Sequence, residues 1–207
     1  MPDSIVIFGS GGHAKVIVDA ILARTPQRNI IILDDADACT GRSIFGIPVS
    51  GGRAVLGELG GTPVAPAVGN NPSRASLIEW LKEAGHPLET VIHPDAILSG
   101  SAVVDPGAFV AAGAIIIAEA RICSGAIVNT GASVDHDCMI GEAAHVGPGS
   151  HLCGNVRIGA RTLVGVGSSI RPGISIADDV VVGAGSVVVR DIAEAGTFAG
   201  NPARRLS

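Results

Sequence analysis

From Ile92 to Val188 every sixth residue is Ile, Leu or Val, and this column governs more than half of the chain. It runs through Leu98, Val104, Val110, Ile116, Ile122, Val128, Val134, Ile140, Val146, Leu152, Ile158, Val164, Ile170, Ile176 and Val182. An α-helix repeats its apolar face about every 3.6 residues and a strand every second residue, so neither keeps a strict six. A β-solenoid does. If three hexads form one triangular coil, every sixth side chain points to the axis and stacking of coils buries the column. Two residues before the aliphatic, the side chain is small along most of the run, from Ala96 to Ser150, a size that fits beside the corners. Glycine follows the aliphatic at 141, 147, 159, 165 and 183, where a tight turn is expected to demand a positive φ.

Before residue 90 the hexad is absent. Short apolar runs at Ser4 to Phe8, Ile30 to Leu33 and Val64 to Val68 predict strands. Helices are expected between or after them, most clearly one with Asn71 as N-cap, Pro72 as its first residue, Leu77, Ile78, Leu81 and Ala84 on one face, and Gly85 as its stop. Strand, helix, strand in this order predicts a small parallel sheet of Rossmann type, with any ligand at the carboxyl ends of the strands. With a linker at Gly85 to Val91, the expected division is an α/β Rossmann-like domain over 1–88 and a solenoid with a C-terminal tail over 89–207.

Charge and composition narrow the function classes. A net charge of −5, no Tyr, one Trp and four Phe speak against a nucleic-acid binder, which needs cations for phosphates and rings for bases. The most apolar stretch, Ala108 to Ala118, is too short for a bilayer span of roughly 20 residues, so no membrane partner is expected. No basic segment followed by a long apolar one opens the sequence, and a cytoplasmic location is the default expectation. Cys39 stands alone, and Cys123, Cys138 and Cys153 are 15 residues apart without a CxxC pair. They read as small apolar side chains rather than metal or disulfide partners, and no metal is expected.

The loop after the first strand, Gly9-Ser10-Gly11-Gly12-His13-Ala14, matches G-x-G-x-x-A, and Asp34 and Asp35 end the second strand. Glycines there let backbone N–H groups approach a phosphate at a helix N-terminus, where the dipole also favours negative charge. A domain of about 90 residues offers one mononucleotide-binding half, not the two that a dinucleotide straddles, so a nucleoside diphosphate suits it better than NAD. A glycine turn needed only for strand-to-helix packing is the competing reading.

Within the repeat, one stretch is unusually polar: Asn129-Thr130, then Val134-Asp135-His136-Asp137-Cys138, then Glu142 and His145. His136, two residues after an inward aliphatic, is expected at an outward corner between two carboxylates, which raise imidazole basicity and suit a general base. His145 lies nine residues on, half a coil away and therefore on another side of the prism. A cleft between neighbouring copies in a trimer could bring such residues together. His86, His93 and His151 lack such company and read as structural.

With these residues in hand, the chain resembles the bacterial sugar acyltransferases of the sialic acid O-acetyltransferase type, hexapeptide-repeat proteins, and within them the N-acetyltransferases of nucleotide-linked 4-amino sugars. The resemblance spans nearly the whole chain and rests on Phe8 to Ala14, Leu33-Asp34-Asp35, Ala67-Val68-Gly69-Asn70-Asn71, Asn129-Thr130 with Val134 to Cys138, and Ala199 to Arg204. It implies a left-handed parallel β-helix, a homotrimer, and acetyl-coenzyme A as co-substrate in the cleft between adjacent helices. It also implies His136 as catalytic base with Asp137 as its acidic partner, a position often Glu in the family. Acetyl-coenzyme A contacts would fall on His145, Gly154, Val166 and Ala184, and nucleotide-sugar contacts on Gly12, His13, Asp34, Asp35, Gly69 and Asn70. The expected reaction is direct acetyl transfer to the 4-amino group of a nucleotide-linked 4-amino-4,6-dideoxy sugar. O-acetylation of a sialic acid or related sugar is the alternative within the fold. A non-catalytic nucleotide-sugar-binding trimer and a nicotinamide oxidoreductase are alternatives of other classes.

Overall fold

Ile5, Val6, Ile7 and Phe8 are buried along the whole of β1 (Ser4–Phe8), as a strand covered on both faces must be. β1 is the centre of a parallel three-stranded sheet, flanked by β2 (Asn29–Leu33) and by β5 (Val64–Pro66), with Phe8 opposite both Leu33 and Pro66. A short antiparallel pair, β3 (Ser43–Ile44) and β4 (Ile47–Pro48), lies between β2 and β5 in sequence. Three helices pack here: α1 (Gly12–Arg24), α2 (Arg53–Glu58) and α3 (Asn71–Glu83). Val6, Phe8, Leu33, Leu56, Val64, Leu77 and Leu81 form a core cluster, each buried side chain contributing about 1.5–3 kcal/mol.

The N-cap of α3 is Asn70, one residue earlier than the sequence signals predict. Its Oδ1 accepts from the Ser73 amide at 3.0 Å, which places Pro72 in the first turn, where its missing N–H leaves no bond unmade.

The computed structural model describes residues 4–39 and 41–206, and the chain divides into two units, Met1–Pro94 and Asp95–Ser207. The second unit is a parallel β-solenoid. Its two-residue strands stack with an 18-residue register into three sheets, so that Ile116 pairs with Leu98 and Val134, and Val128 with Val110 and Val146. The hexad column fills the interior: Val110, Ile116, Ile122, Val128, Val134, Ile140 and Val146 are fully buried. The small column is buried with it from Ala108 to Ala144, each residue directly after a turn and before a strand, beside the corners as its size predicts. Where this column turns polar its hydroxyls bond along the axis. Ser150 Oγ donates to Gly165 O at 2.8 Å and accepts from the Ser168 amide at 3.3 Å, and Ser168 Oγ donates in turn to Gly183 O at 3.1 Å.

The glycines that follow the aliphatics do not have positive φ. They are there for space: a Cβ on Gly141 would lie 2.7 Å from Ala160 N on the next coil, and one on Gly147 2.6 Å from Val164 O. The left-handed corner comes two residues later, at glycines such as Gly113, Gly131 and Gly149, and at Glu119, Asp137, Ala143, Asn155, Arg161 and Asp179. Gly196–Ala199 and Arg204–Arg205 end the solenoid as an antiparallel pair that covers one open sheet edge. No helix among the described residues is long and apolar enough to cross a membrane.

Candidate functional site

His136 stands at the corner that follows the strand Ser133–Val134, with more than half of its side chain exposed. Three bonds fix this corner. Asp135 N donates to Leu152 O at 3.0 Å, Asp135 Oδ1 accepts from the His136 amide at 2.8 Å, and Asn155 N on the next coil donates to His136 O at 2.9 Å. Asp137 takes the left-handed conformation, φ 59°, which turns its side chain back toward its neighbour. As a result Nδ1 of His136 and Oδ2 of Asp137 are 2.7 Å apart, so the short arm of an aspartate reaches the imidazole. That hydrogen bond, aided by the charge of Asp135, holds the imidazole above its ordinary range against the smaller opposing effect of desolvation. With Nδ1 committed to the carboxylate, Nε2 is the nitrogen that can take a proton from a substrate.

His145 belongs to the strand His145–Val146, in a different sheet of the solenoid from His136. Asn129 Oδ1 accepts from the Thr130 amide at 2.8 Å, which orients the amide so that Nδ2 donates to His145 Nε2 at 3.0 Å. Corner residues near this sheet, Thr130, Pro148, Val166 and Ala184, recur every 18 positions and are all exposed and uncharged. Gly154 is elsewhere: it is buried and lies one coil beyond His136, under the imidazole. His151 Nδ1 is 2.8 Å from Ser133 Oγ, and His86 packs on Trp80 with ring centroids 6.1 Å apart. All four cysteines are free thiols, and burial pushes Cys138 up to about 11, so it stays protonated and donates to Cys153 O.

In the first unit, residues at the carboxyl ends of β1, β2 and β5 line a cavity of about 200 Å³, among them Phe8, Gly9, Asp34, Asp35 and Val68. Its glycines separate into two kinds. Gly9, at φ 118°, is required by the fold, since a Cβ would sit 2.7 Å from Ala67 O. Gly11 and Gly12 have ordinary φ and open space around them, so the fold gives no reason for their lack of side chains. They begin α1, whose N-terminus has no side-chain cap, and leave its amides open to an anion. Asp34 Oδ2 is bonded at 2.7 Å to both the amide and the hydroxyl of Ser10, tying β2 to the glycine loop. Burial pushes its carboxyl up, but the Ala36 amide and the two Ser10 bonds outweigh this and keep it below the usual carboxylate range. Asp35 is exposed and paired with Arg53 at 2.9 Å, while the Arg53 guanidinium also lies 4.3 Å from the Trp80 ring centroid. Gly69 and Asn70 are exposed just after β5, with the Asn70 side chain engaged as the helix cap.

Two positively charged residues here carry no motif. Arg53 is one. Arg74 is the other: buried in α3, it donates to Val68 O at 2.9 Å, Gly69 O at 3.1 Å and Asn71 Oδ1 at 2.8 Å, holding the 68–70 turn in place. A second cavity, of about 310 Å³, lies beside Arg24 and Arg28 at the far end of α1, away from the strands' carboxyl ends, and its Arg28 is paired with Glu89 at 2.9 Å.

Comparison with known proteins agrees with both halves. Residues 4–81 match the PglD N-terminal domain family, and residues 155–190 match the hexapeptide repeat of succinyl-transferase. A GDP-perosamine N-acetyl transferase variant from Caulobacter crescentus, solved in complex with CoA and GDP-perosamine, is 39% identical with a TM-score of 0.92, covering 99% of this chain and 97% of that one. The acetyltransferase domain of PglB from Neisseria gonorrhoeae, solved with acetyl coenzyme A, is also 39% identical, with a TM-score of 0.90 and 99% coverage of both chains. A UDP-N-acetylbacillosamine N-acetyltransferase from Bacillus subtilis is 39% identical over 111 residues, 53% of this chain, and the chain spans about half (51%) of that curated relative's length. The chain therefore belongs to the family of nucleotide-linked amino-sugar N-acetyltransferases in which a PglD N-terminal domain precedes a hexapeptide-repeat solenoid.

Proposed function

We propose that this protein transfers the acetyl group of acetyl-coenzyme A to the 4-amino group of a nucleotide-linked 4-amino-4,6-dideoxy sugar. The observation that carries this is the corner at His136, where Nδ1 is bound to Asp137 and Nε2 is left for a substrate proton. It is supported by similarity along nearly the full chain to a structure holding CoA and GDP-perosamine.

In this reading residues 1–88 hold the nucleotide and residues 89–207 carry the transfer. The amides at the start of α1, exposed by Gly11 and Gly12, meet the diphosphate, with His13 beside them. Asp34 shapes that loop through Ser10. Asp35, Gly69 and Asn70 border the rest of the substrate. The exposed, uncharged corners at Val166 and Ala184 suit a thin, flexible acyl carrier, and His145 is placed to border it. The thioester supplies the activated acetyl group. His136 Nε2 takes the proton that the amine nitrogen loses as the N–C bond forms, and returns it to the departing sulfur, so that amine and thioester become amide and thiol. Asp137 keeps the ring oriented and stabilises the imidazolium in between. No covalent enzyme intermediate is required, because holding amine and thioester in line supplies much of the rate.

The placement of His136 and His145 on different sheets favours a homotrimer in which one copy's His136 face meets another's His145 face. A cytoplasmic location accords with a soluble nucleotide-sugar substrate. The test is product analysis after incubation with acetyl-coenzyme A and UDP- or GDP-linked 4-amino-4,6-dideoxy sugar, or free sialic acid. A hydroxylamine-stable acetyl on one nucleotide sugar is expected. A hydroxylamine-labile ester on sialic acid would instead establish O-acetylation.

A further inference from the structure

Corner residues that follow the inward aliphatic by two recur every 18 positions, and His136 belongs to the series Gly100, Ala118, His136, Gly154 and Pro172. Gly154 is thus the residue on which the imidazole of His136 rests. A Cβ built on Gly154 would lie 2.5 Å from both Cε1 and Nε2 of His136 and 3.1 Å from its Cδ2. All three of its nearest atoms belong to that one ring.

The two other reasons for a glycine in this solenoid do not apply. Gly154 is absent from the residues with positive φ, so any L-residue could take its backbone conformation. Nor does the following coil come first: at Gly141, Gly147 and Gly165 the atoms nearest a Cβ are backbone of the following coil, whereas at Gly154 they are those of a side chain. Gly100, three coils earlier in the same column, has open space where its Cβ would be. What the glycine provides is room for the imidazole.

We propose that Gly154 is a positioning residue for His136, its missing side chain allowing the ring to lie flat on the next coil with Nδ1 on Asp137 and Nε2 held in one place. This rests on the reading of His136 as the base, and it differs from the acyl-carrier contact the family resemblance implies for Gly154. A methyl group at 154 cannot coexist with the ring in this position. The coil backbone is locked by the bonds from Asn155 N to His136 O and from Gly173 N to Gly154 O, so the ring is what moves. In moving it leaves Asp137, since that 2.7 Å bond depends on the same side-chain rotamer.

The test compares Gly154→Ala with Gly100→Ala, His136→Ala and the His136→Ala/Gly154→Ala double variant. Proton–carbon NMR of labelled histidine follows the titration of His136, assigned by its loss in His136→Ala, alongside kcat, KM and thermal melting. In Gly154→Ala the His136 midpoint is expected to fall toward that of a free histidine. There kcat should drop about 10- to 100-fold, as misplacement by an ångström can cause, while KM for acetyl-coenzyme A holds. Gly100→Ala should match wild type, and adding Gly154→Ala to His136→Ala should cost nothing more. If Gly154→Ala fails to fold, the double variant should fold, because the obstructing ring is gone. The proposal is overturned by an unchanged His136 titration, by a raised KM for acetyl-coenzyme A with kcat intact, by a further loss in the double variant, or by a double variant that also fails to fold. Should His136→Ala prove fully active, the base reading falls, yet the NMR midpoint still decides whether Gly154 positions the ring.

Discussion

Nδ1 of His136 and Oδ2 of Asp137 lie 2.7 Å apart although the two residues are adjacent in sequence. In an extended strand successive side chains point to opposite faces. Here the left-handed conformation of Asp137 at the coil corner turns the chain enough for them to meet. The same corner geometry recurs throughout the solenoid, so the acid–base pair uses a turn that the fold already makes.

Asp137 raises the basicity of His136, and the consequence for pH dependence has a definite sign. A general base works as neutral imidazole, so the acidic limb of kcat/KM should lie above the ordinary histidine value near 6.5. Asp137→Asn removes the negative charge that favours the imidazolium and should move that limb to lower pH while reducing the plateau. A pH–rate profile of both proteins checks this, and an unmoved limb would show that Asp137 does not set the basicity of His136.

Arg74 should be a stability residue whose loss is felt in the substrate loop. Burial lowers its guanidinium to about 10, still charged at neutral pH, and its donors serve Val68 O and Gly69 O. Arg74→Met takes the charged donor away from the partly buried turn carbonyls, at about 1–3 kcal/mol in all. Urea unfolding should show a loss in that range, and KM for the nucleotide sugar should rise more than KM for acetyl-coenzyme A.

Gly12→Ala separates a phosphate loop from a packing turn. Nothing in the fold opposes a methyl group there, and alanine is the better helix former by about 1 kcal/mol. Melting temperature should hold or rise while affinity for the nucleotide sugar falls about tenfold, equivalent to roughly 1.4 kcal/mol. Unchanged affinity, read by calorimetry, would return the loop to a structural role.

Gly141→Ala should be far more damaging than Gly131→Ala. At 141 the added carbon would press on Ala160 N at 2.7 Å, and the next coil must separate. At 131 it meets open space and incurs only the left-handed strain of about 1–2 kcal/mol. Thermal melting of the two variants measures the difference.

The solenoid was legible in the sequence because a strict six-residue period has one structural meaning, and the buried column from Val110 to Val188 follows it. The β1, β2 and β5 strands were legible for a similar reason, as short apolar runs between turn residues. What the period could not show was the role of each glycine. Gly141 and Gly131 look alike in sequence, yet one is set by the adjacent coil and the other by φ, and only three-dimensional stacking separates them. The cap of α3 shifted by a residue because Asn70 and Asn71 are equally good caps in sequence, and the Ser73 bond decides between them. Arg53 and Arg74 were missed since no spacing rule relates a lone arginine to a loop carbonyl or a ring. The occupation of Asp34 by Ser10, 24 residues earlier, was hidden likewise.

The most direct test of the account is thiol release from acetyl-coenzyme A with a nucleotide-linked 4-amino-4,6-dideoxy sugar, comparing wild type with His136→Ala while calorimetry follows the binding of both substrates. In His136→Ala kcat should fall about 10²- to 10⁴-fold with both affinities preserved. Wild-type turnover in His136→Ala, or no turnover with any nucleotide-linked amine in the wild-type protein, would contradict it.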